Sequence, residues 1–480
     1  MNNKPNGRSQ SKPSWTIGAK RTAGIGLVCA LVIAIFAWNA YWDFTQLDIP
    51  RAEDCYYNLL VQGFRAGQLN VKREPPPALA RLPDPYNPTA IRPYLHSKQS
   101  GIIYDMSYYK GKLYLYFGPS PALVLFWPYV TLTGHYISQK GAVVIFLAIG
   151  FVTSAVLLWA LWRRYFPEAR IWVLSVGILI LALVPGLPQV LSTCGINVVA
   201  RTCAFAFTML ALAAIWCALH EPKRRVIWLS SASLAYGLAI GSVPSLLFGA
   251  IILLMPVAQA WRSATEPVSR RGVALLLAAA AGPLMLIGIG LMLYNTLRFG
   301  SPSEFGWHYQ IGGFRQIATH PFSLRYLWFN FFFYFLDPTH WTSHIPLLRA
   351  FHSLPLPSGY QMSGGSYGGI LIIYPLAWLA LAAPLAWRGR PAEEVSGLRW
   401  FVAAIVSLFV INALTVCLFC SAYSRYELDF LPALMMLAAI GVFGLERSLA
   451  DYPAWGRVTR WICCSLVAYS VGFHVFLIGA

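Results

Sequence analysis

Carboxylates are rare in this chain, 18 among 480 residues, and all charged residues together make only 11% of it. Soluble globular domains carry about 25% charged residues, so that class is excluded. No GxxxxGK[ST] run occurs, which leaves nucleotide hydrolysis without a phosphate loop. There is no N-x-[ST] sequon and no internal repeat at the periods of solenoids and propellers. What is plentiful is apolar: 57% of the residues are hydrophobic and the mean hydropathy is +0.56. That composition belongs to a polytopic helical membrane protein.

A run of about 20 apolar residues crosses a hydrocarbon core of about 30 Å with every backbone amide paired inside its own helix. Eleven such runs are readable, at 22–42, 141–162, 171–192, 197–219, 226–242, 243–261, 272–297, 368–387, 399–420, 429–446 and 458–478. The pair around Ser242, Val243 and Pro244 must share a tight turn. Residues 1–21 are polar and basic and form a flexible cytoplasmic tail, and 22–480 form one transmembrane domain. The first span has no small-residue cleavage site and reads as a retained anchor. The fold expected is therefore all-α, with interfacial helices in a large first outer loop.

The formal net charge of +18 would suit nucleic acid, but its placement argues otherwise. With the N-terminus inside, twenty basic residues fall on cytoplasmic segments, among them Arg163, Arg164, Lys223, Arg224, Arg225, Arg270 and Arg271. This is the positive-inside pattern. The same counting places 118–134 (GPSPALVLFWPYVTLTG) outside as a short interfacial helix, held by Trp127 and Tyr129 and broken by Pro119, Pro121 and Pro128. The aromatic segment 322–336 reads the same way and ends at Asp337-Pro338. The outer loops are then 43–140 and 298–367.

Most of the nine cysteines lie in spans, where Cys acts as a small hydrophobe, and Cys417 and Cys420 are read as packing despite their CxxC spacing. Gly364-Gly365-Ser366-Tyr367-Gly368 fits GxSxG, but no strand precedes it, so it reads as a flexible lead-in to the eighth span. His340 and His344 stand four apart near His352 without the acid of HExxH, and no metal ligand set is assigned.

The first outer loop holds seven of the 18 carboxylates, and nine of the 25 tyrosines lie between Tyr56 and Tyr116. Glu53 and Asp54 open a stretch whose apolar positions, Tyr57, Leu60, Val61 and Phe64, recur at helical spacing until Gly67. Asp54 can be the N-cap and Glu53 a dipole partner. Capping does not need both, and a partly desolvated carboxylate beside the bilayer can take a proton from an attacking hydroxyl. Asp84 reads as a Pro-flanked turn. Asp105 lies among Tyr104, Tyr108, Tyr109, Tyr114 and Tyr116, where it either orients an acceptor or assists the base; aromatic rings with polar tips suit an interface and sugar faces alike.

Arg201, Arg298 and Arg425 stand at outer helix ends, the depth of a lipid phosphate. Snorkelling explains any one of them. Arg425 is distinguished by its run, Arg425-Tyr426-Glu427-Leu428-Asp429, and bidentate phosphate binding is a guanidinium speciality.

On these residues the chain resembles the GT-C-type integral membrane glycosyltransferases, the superfamily of protein O-mannosyltransferases and bacterial aminoarabinose transferases. Glu53-Asp54 with Tyr56, Tyr57 and Gly67 looks like that family's acidic motif. Gly118-Pro119-Ser120-Pro121-Ala122-Leu123 looks like its Pro-rich segment, and Arg425-Tyr426 like its Arg-Tyr near the last spans. The runs Tyr108 to Pro121 and Arg298 to Gln310 look like features of a bacterial subgroup. The resemblance implies a multi-pass protein of the bacterial inner membrane that moves a sugar from a polyprenyl-phosphate donor to a lipid or glycan hydroxyl on the periplasmic face. Glu53 or Asp54 would be the base, attack would invert the anomeric centre, and Arg425 with Lys110 or Arg298 would hold the departing phosphate. Arg201, Tyr426, Tyr57 and Tyr109 complete the expected donor site. No cofactor is assigned, and a divalent metal ion is compatible with such sites; no nucleic acid partner is implied.

Two other classes stay open at this level. A transporter or flippase places ionisable residues at the midplane, and the span centres here are nearly free of charge. A non-catalytic envelope scaffold keeps the topology without needing the carboxylates.

Overall fold

The computed structural model describes residues 26, 29–30, 32–34, 48–49, 52, 55–95, 105–182, 196–262, 269–312, 315, 320–341, 353–361 and 367–479. Six helices among them are long and apolar enough to cross a membrane: Gln139–Tyr165, Ile196–His220, Pro244–Arg262, Arg270–Phe299, Ser396–Cys417 and Leu431–Ser448. Shorter apolar helices, Ile171–Ala182 and Pro375–Ala386, pack among them. The chain is thus a helical polytopic membrane protein. The tail 1–21 and most of the first expected span lie outside the described residues, as do Glu53, Asp54, His344, His352 and the Gly364–Ser366 part of the GxSxG run.

The central element is the helix Leu431–Ser448, whose residues from Leu431 to Gly444 are all buried. It packs on Pro375–Ala386 and on Ile171–Ala182. Glycine permits the first contact: a Cβ on Gly441 would lie 1.9 Å from the carbonyl oxygen of Leu379. Arg270–Phe299 carries Pro283 in its interior. The helical ladder is interrupted there, and the Leu284 amide donates instead to Ser233 Oγ of the neighbouring helix Arg225–Ile240 at 3.1 Å. The two short spans predicted to meet near Ser242 end and begin at Ile240 and Pro244.

The segment predicted to lie at the interface forms one apolar helix, Ala122–Thr133. At about 1.5 Å per residue it is roughly 18 Å long, too short to cross. Pro128 does not break it: a π turn over Ala122–Phe126 precedes Pro128, which sits in the first turn of the following α segment, Trp127–Thr133. Its lead-in presses on the turn between the two short spans, with the Ser120 amide donating to Gly241 O at 3.2 Å. The helix expected at 53–68 is observed as Tyr56–Arg65. Its N-cap is Cys55, which makes no side-chain cap, so Asp54 is not the cap.

The sequence reading contained no strands, and here the structure adds to it. Strand β1 (Asp48–Ile49) pairs with β4 (Tyr136–Ile137), and a three-stranded antiparallel sheet has the order β3 (Lys112–Leu115), β2 (Met106–Tyr109), β5 (Gln310–Ile311). Lys110 and Gly111, with φ of 47° and 76°, make the two-residue turn between β2 and β3, the mirror-image type that suits strand twist. Strands this short leave no period to read, and β5 comes from the second long loop. Ser107 faces Gln310 across the β2–β5 pair and its hydroxyl donates to Gly306 O at 2.8 Å. The sheet stitches the two long loops together.

Candidate functional site

The six residues Ser424–Asp429 form a 3-10 helix leading into the central helix. In a 3-10 helix residues i and i+3 eclipse, so Tyr426 and Asp429 share one face while Arg425 and Glu427 turn to others. That face meets Arg201 in the first turns of Ile196–His220. The Arg201 guanidinium forms an ion pair with Asp429, the two side chains being 13% and 2% exposed, and lies 3.9 Å from the centre of the Tyr426 ring. Asn412 donates to Asp429 O at 2.9 Å. A cavity lined by Phe205, Thr208, Met209, Leu246 and Leu408 adjoins Asp429.

Arg425 is held differently. Its guanidinium sits 3.8 Å over the Tyr423 ring and 5.5 Å from that of Tyr426. It has no ion pair among the described residues, and its Nε is shut off from solvent with no hydrogen-bond partner. Among the described residues the carboxylate whose charge couples to it is Asp105, which precedes β2 in a left-handed conformation, φ 63°. Gln310 of β5 donates to Asp105 Oδ1 at 3.2 Å. Burial pushes the Asp105 carboxyl above its ordinary range, outweighing the pull of Arg425 and of the Gln310 hydrogen bond. Tyr116 feels Asp105, Arg201 and Tyr426 together, and Tyr56, at the start of its helix, also faces Asp105; burial raises both phenols. Thus Asp105, Arg201, Arg425 and Tyr426 converge from separate parts of the chain.

The other expected site residues lie elsewhere. Tyr57 is fully buried, its hydroxyl donating to Gly118 O at 3.3 Å and its ring packed on Phe126. Arg298 is 4% exposed: it donates to Leu115 O at 2.9 Å and to Asn295 Oδ1 at 2.7 Å and stacks on Tyr294, while its Nε is shut off from solvent with no partner among the described residues. Through these bonds Tyr57 braces the Pro-rich segment and Arg298 the sheet. Lys110 is exposed at the β2–β3 turn, 5.2 Å from the Tyr109 ring centre, roughly 16 Å along the strand from Asp105. Tyr109 packs on Tyr309 at 4.4 Å and on Phe299 at 5.8 Å.

His340 is tied to its own loop, with Nε2 2.9 Å from Ser353 Oγ, whose hydroxyl donates to buried Asp337. Among the described residues no group of three or more His, Cys, Asp and Glu side chains is placed to hold a metal ion. The sequence reading did not assign roles to Asp429, Gln310 or Trp307. The three-residue step from Tyr426 to Asp429 was a usable signal for the first; nothing local marks the other two.

No family model matches the chain, and no curated protein sequence does. Solved structures align over most of it. The oligosaccharyltransferase of Archaeoglobus fulgidus in its apo form aligns over 94% of this chain at 13% identity, TM-score 0.48. The same protein tethered with an acceptor peptide containing the NVT sequon aligns at 14% identity over 94% of this chain and 55% of its own, TM-score 0.46. ArnT from Cupriavidus metallidurans bound to undecaprenyl phosphate aligns at 13% identity over 95% of this chain and 76% of its own, TM-score 0.40. The chain spans 56% of the length of the apo oligosaccharyltransferase.

Proposed function

We propose that the protein is a membrane glycosyltransferase that moves a sugar from a polyprenyl-phosphate donor to a hydroxyl of a lipid or glycan acceptor, on the outer face of a bacterial inner membrane with the N-terminus in the cytoplasm. One observation carries the reading: Arg425 is a half-buried guanidinium with an orphaned Nε and no ion pair among the described residues, facing a carboxylate at the end of the bundle that bears both long loops. A cation so placed suits a phosphate group. Arg201, by contrast, is neutralised by Asp429 and holds the 3-10 turn in position.

In the reaction the acceptor oxygen attacks the anomeric carbon as the bond from that carbon to the phosphate oxygen breaks. The hydroxyl proton passes to a carboxylate, the electron pair of the broken bond leaves with the phosphate, and Arg425 offsets the charge that develops there. Glu53 and Asp54 remain the proposed base from the sequence, and Asp105 orients the acceptor or assists them. Its raised carboxyl matches a proton acceptor working nearer neutrality.

The test uses purified full-length protein with lipid-linked sugar turnover and undecaprenyl phosphate binding as readouts. Arg425→Ala should lower turnover by about 100-fold and weaken lipid phosphate binding, with partial recovery in Arg425→Lys. Amide replacements at Glu53, Asp54 and Asp105 should lower turnover while sparing lipid binding. Full turnover in Arg425→Ala, or in the variant with all three amides, overturns the reading.

A further inference from the structure

Trp307 was assigned no role by the sequence, and its surroundings give it one. It lies in the second outer loop, three residues before β5, on a backbone pinned from both sides. Glu304 Oε1 accepts from the Gly306 amide at 2.6 Å, Ser107 donates to Gly306 O at 2.8 Å, and the Tyr309 amide donates to the same oxygen at 3.2 Å. Gly306 has φ 94°, and a Cβ there would lie 2.5 Å from Ser107 Oγ, so only glycine fits this close approach. The loop therefore presents Trp307 in a fixed place.

That place belongs to the shell around Arg425. The indole lies 6.0 Å from the Tyr116 ring and 5.7 Å from that of Phe419. Tyr116 faces Asp105, Arg201 and Tyr426, and Phe419 packs on Tyr426 at 6.0 Å. Yet Trp307 Nε1 is closed from solvent and has no hydrogen-bond partner among the described residues. One aromatic shell thus holds two orphaned donors, the Nε of Arg425 and the Nε1 of Trp307. Buried indole N–H groups normally find an acceptor, so two unmet donors bordering one aromatic cluster, linked through Phe419 and Tyr426, point to a ligand rich in acceptor oxygens. The charged donor matches phosphate; the neutral donor, set in flat aromatic faces, matches the hydroxyls and the ring of a sugar.

Resting on the transferase reading above, we propose that Trp307 forms the sugar subsite of the donor, its N–H donating to a hydroxyl of the sugar to be transferred while Arg425 holds the phosphate.

The experiment compares binding of undecaprenyl phosphate with that of undecaprenyl phosphate bearing glucose, mannose or galactose, to wild-type protein and to Trp307→Phe and Trp307→Ala. Wild-type protein should bind at least one sugar-bearing lipid more tightly than the bare one. Trp307→Phe, which keeps the aromatic face and removes the donor, should lose about tenfold in affinity for that lipid, Trp307→Ala more, and neither should change binding of undecaprenyl phosphate. A thermal unfolding midpoint in Trp307→Phe equal to that of wild type shows that the fold is kept. Equal loss for bare and sugar-bearing lipids in Trp307→Phe, no loss at all, or a wild-type protein indifferent to the sugar overturns the subsite. If wild-type protein binds none of the lipids, the transferase reading itself fails.

Discussion

Glu427 offers the sharpest test of the electrostatics of the 3-10 turn. It lies in the same 3-10 turn, partly buried, and its carboxyl has no hydrogen-bond or ion-pair partner among the described residues; buried Tyr374 is the polar group beside it. Burial pushes this carboxyl from 4.5 up to about 8. Below pH 4.5 the folded and unfolded chains both hold the proton and the stability from this group is complete. Between 4.5 and 8 the unfolded chain releases the proton while the folded protein keeps it, so stability falls as pH rises; above that window both are ionised and the loss levels off. At about 1.36 kcal/mol per pH unit the ceiling is about 5 kcal/mol, and the remaining solvent contact reduces the expected loss to about 2–3 kcal/mol. Glu427→Gln is neutral throughout. The stability of wild type relative to this variant, measured by equilibrium unfolding in mixed micelles across the window, should therefore decline by that amount, and an infrared carboxyl stretch absent from the variant should persist at neutral pH. A flat difference, or a stretch that vanishes near 4.5, refutes the reasoning.

Three further outcomes are expected. Asp105→Asn should lower kcat by at least about tenfold; because burial raises this carboxyl, wild-type kcat should fall as pH drops through that raised value, and the variant's residual activity should lack this limb. Asp429→Asn leaves the buried Arg201 charge unpaired and should cost about 3–5 kcal/mol in unfolding measurements, most of it regained when Arg201→Met is added; a single variant as stable as wild type refutes the role of the pair. Gly441→Ala drives a methyl to 1.9 Å from Leu379 O and should lower the unfolding midpoint sharply, whereas Gly290→Ala, with nothing within 4 Å, should be neutral or stabilising by up to about 1 kcal/mol.

The membrane class, the positions of most described spans and the shortness of the Ala122–Thr133 helix were legible in the sequence. Apolar run length and the placement of Arg and Lys are local quantities, and lipid reads them locally. The helical spacing from Tyr57 to Phe64 likewise announced Tyr56–Arg65, though not its cap. Arg425 and Tyr426 were singled out from the composition of one short run. Arg298 shows the limit: its place at a helix end is legible in the sequence, but its bonds to Leu115 O and Asn295 are not.

What tertiary structure decided is which charges meet. Arg201 and Asp429 are 228 residues apart and Asp105 and Gln310 are 205 apart, and no periodicity links either pair. A charge or carboxyl withdrawn from water must find its counterpart wherever packing supplies one. Here the supply comes from two devices that composition does not reveal: a 3-10 turn that sets Tyr426 and Asp429 on one face, and a three-stranded sheet that brings the second long loop onto the first. The sequence by itself committed the chain to lipid, because burying so much apolar surface needs no particular partner. The grouping of Asp105, Arg425 and Trp307 had to wait for the fold, because pairing a few polar groups needs particular ones.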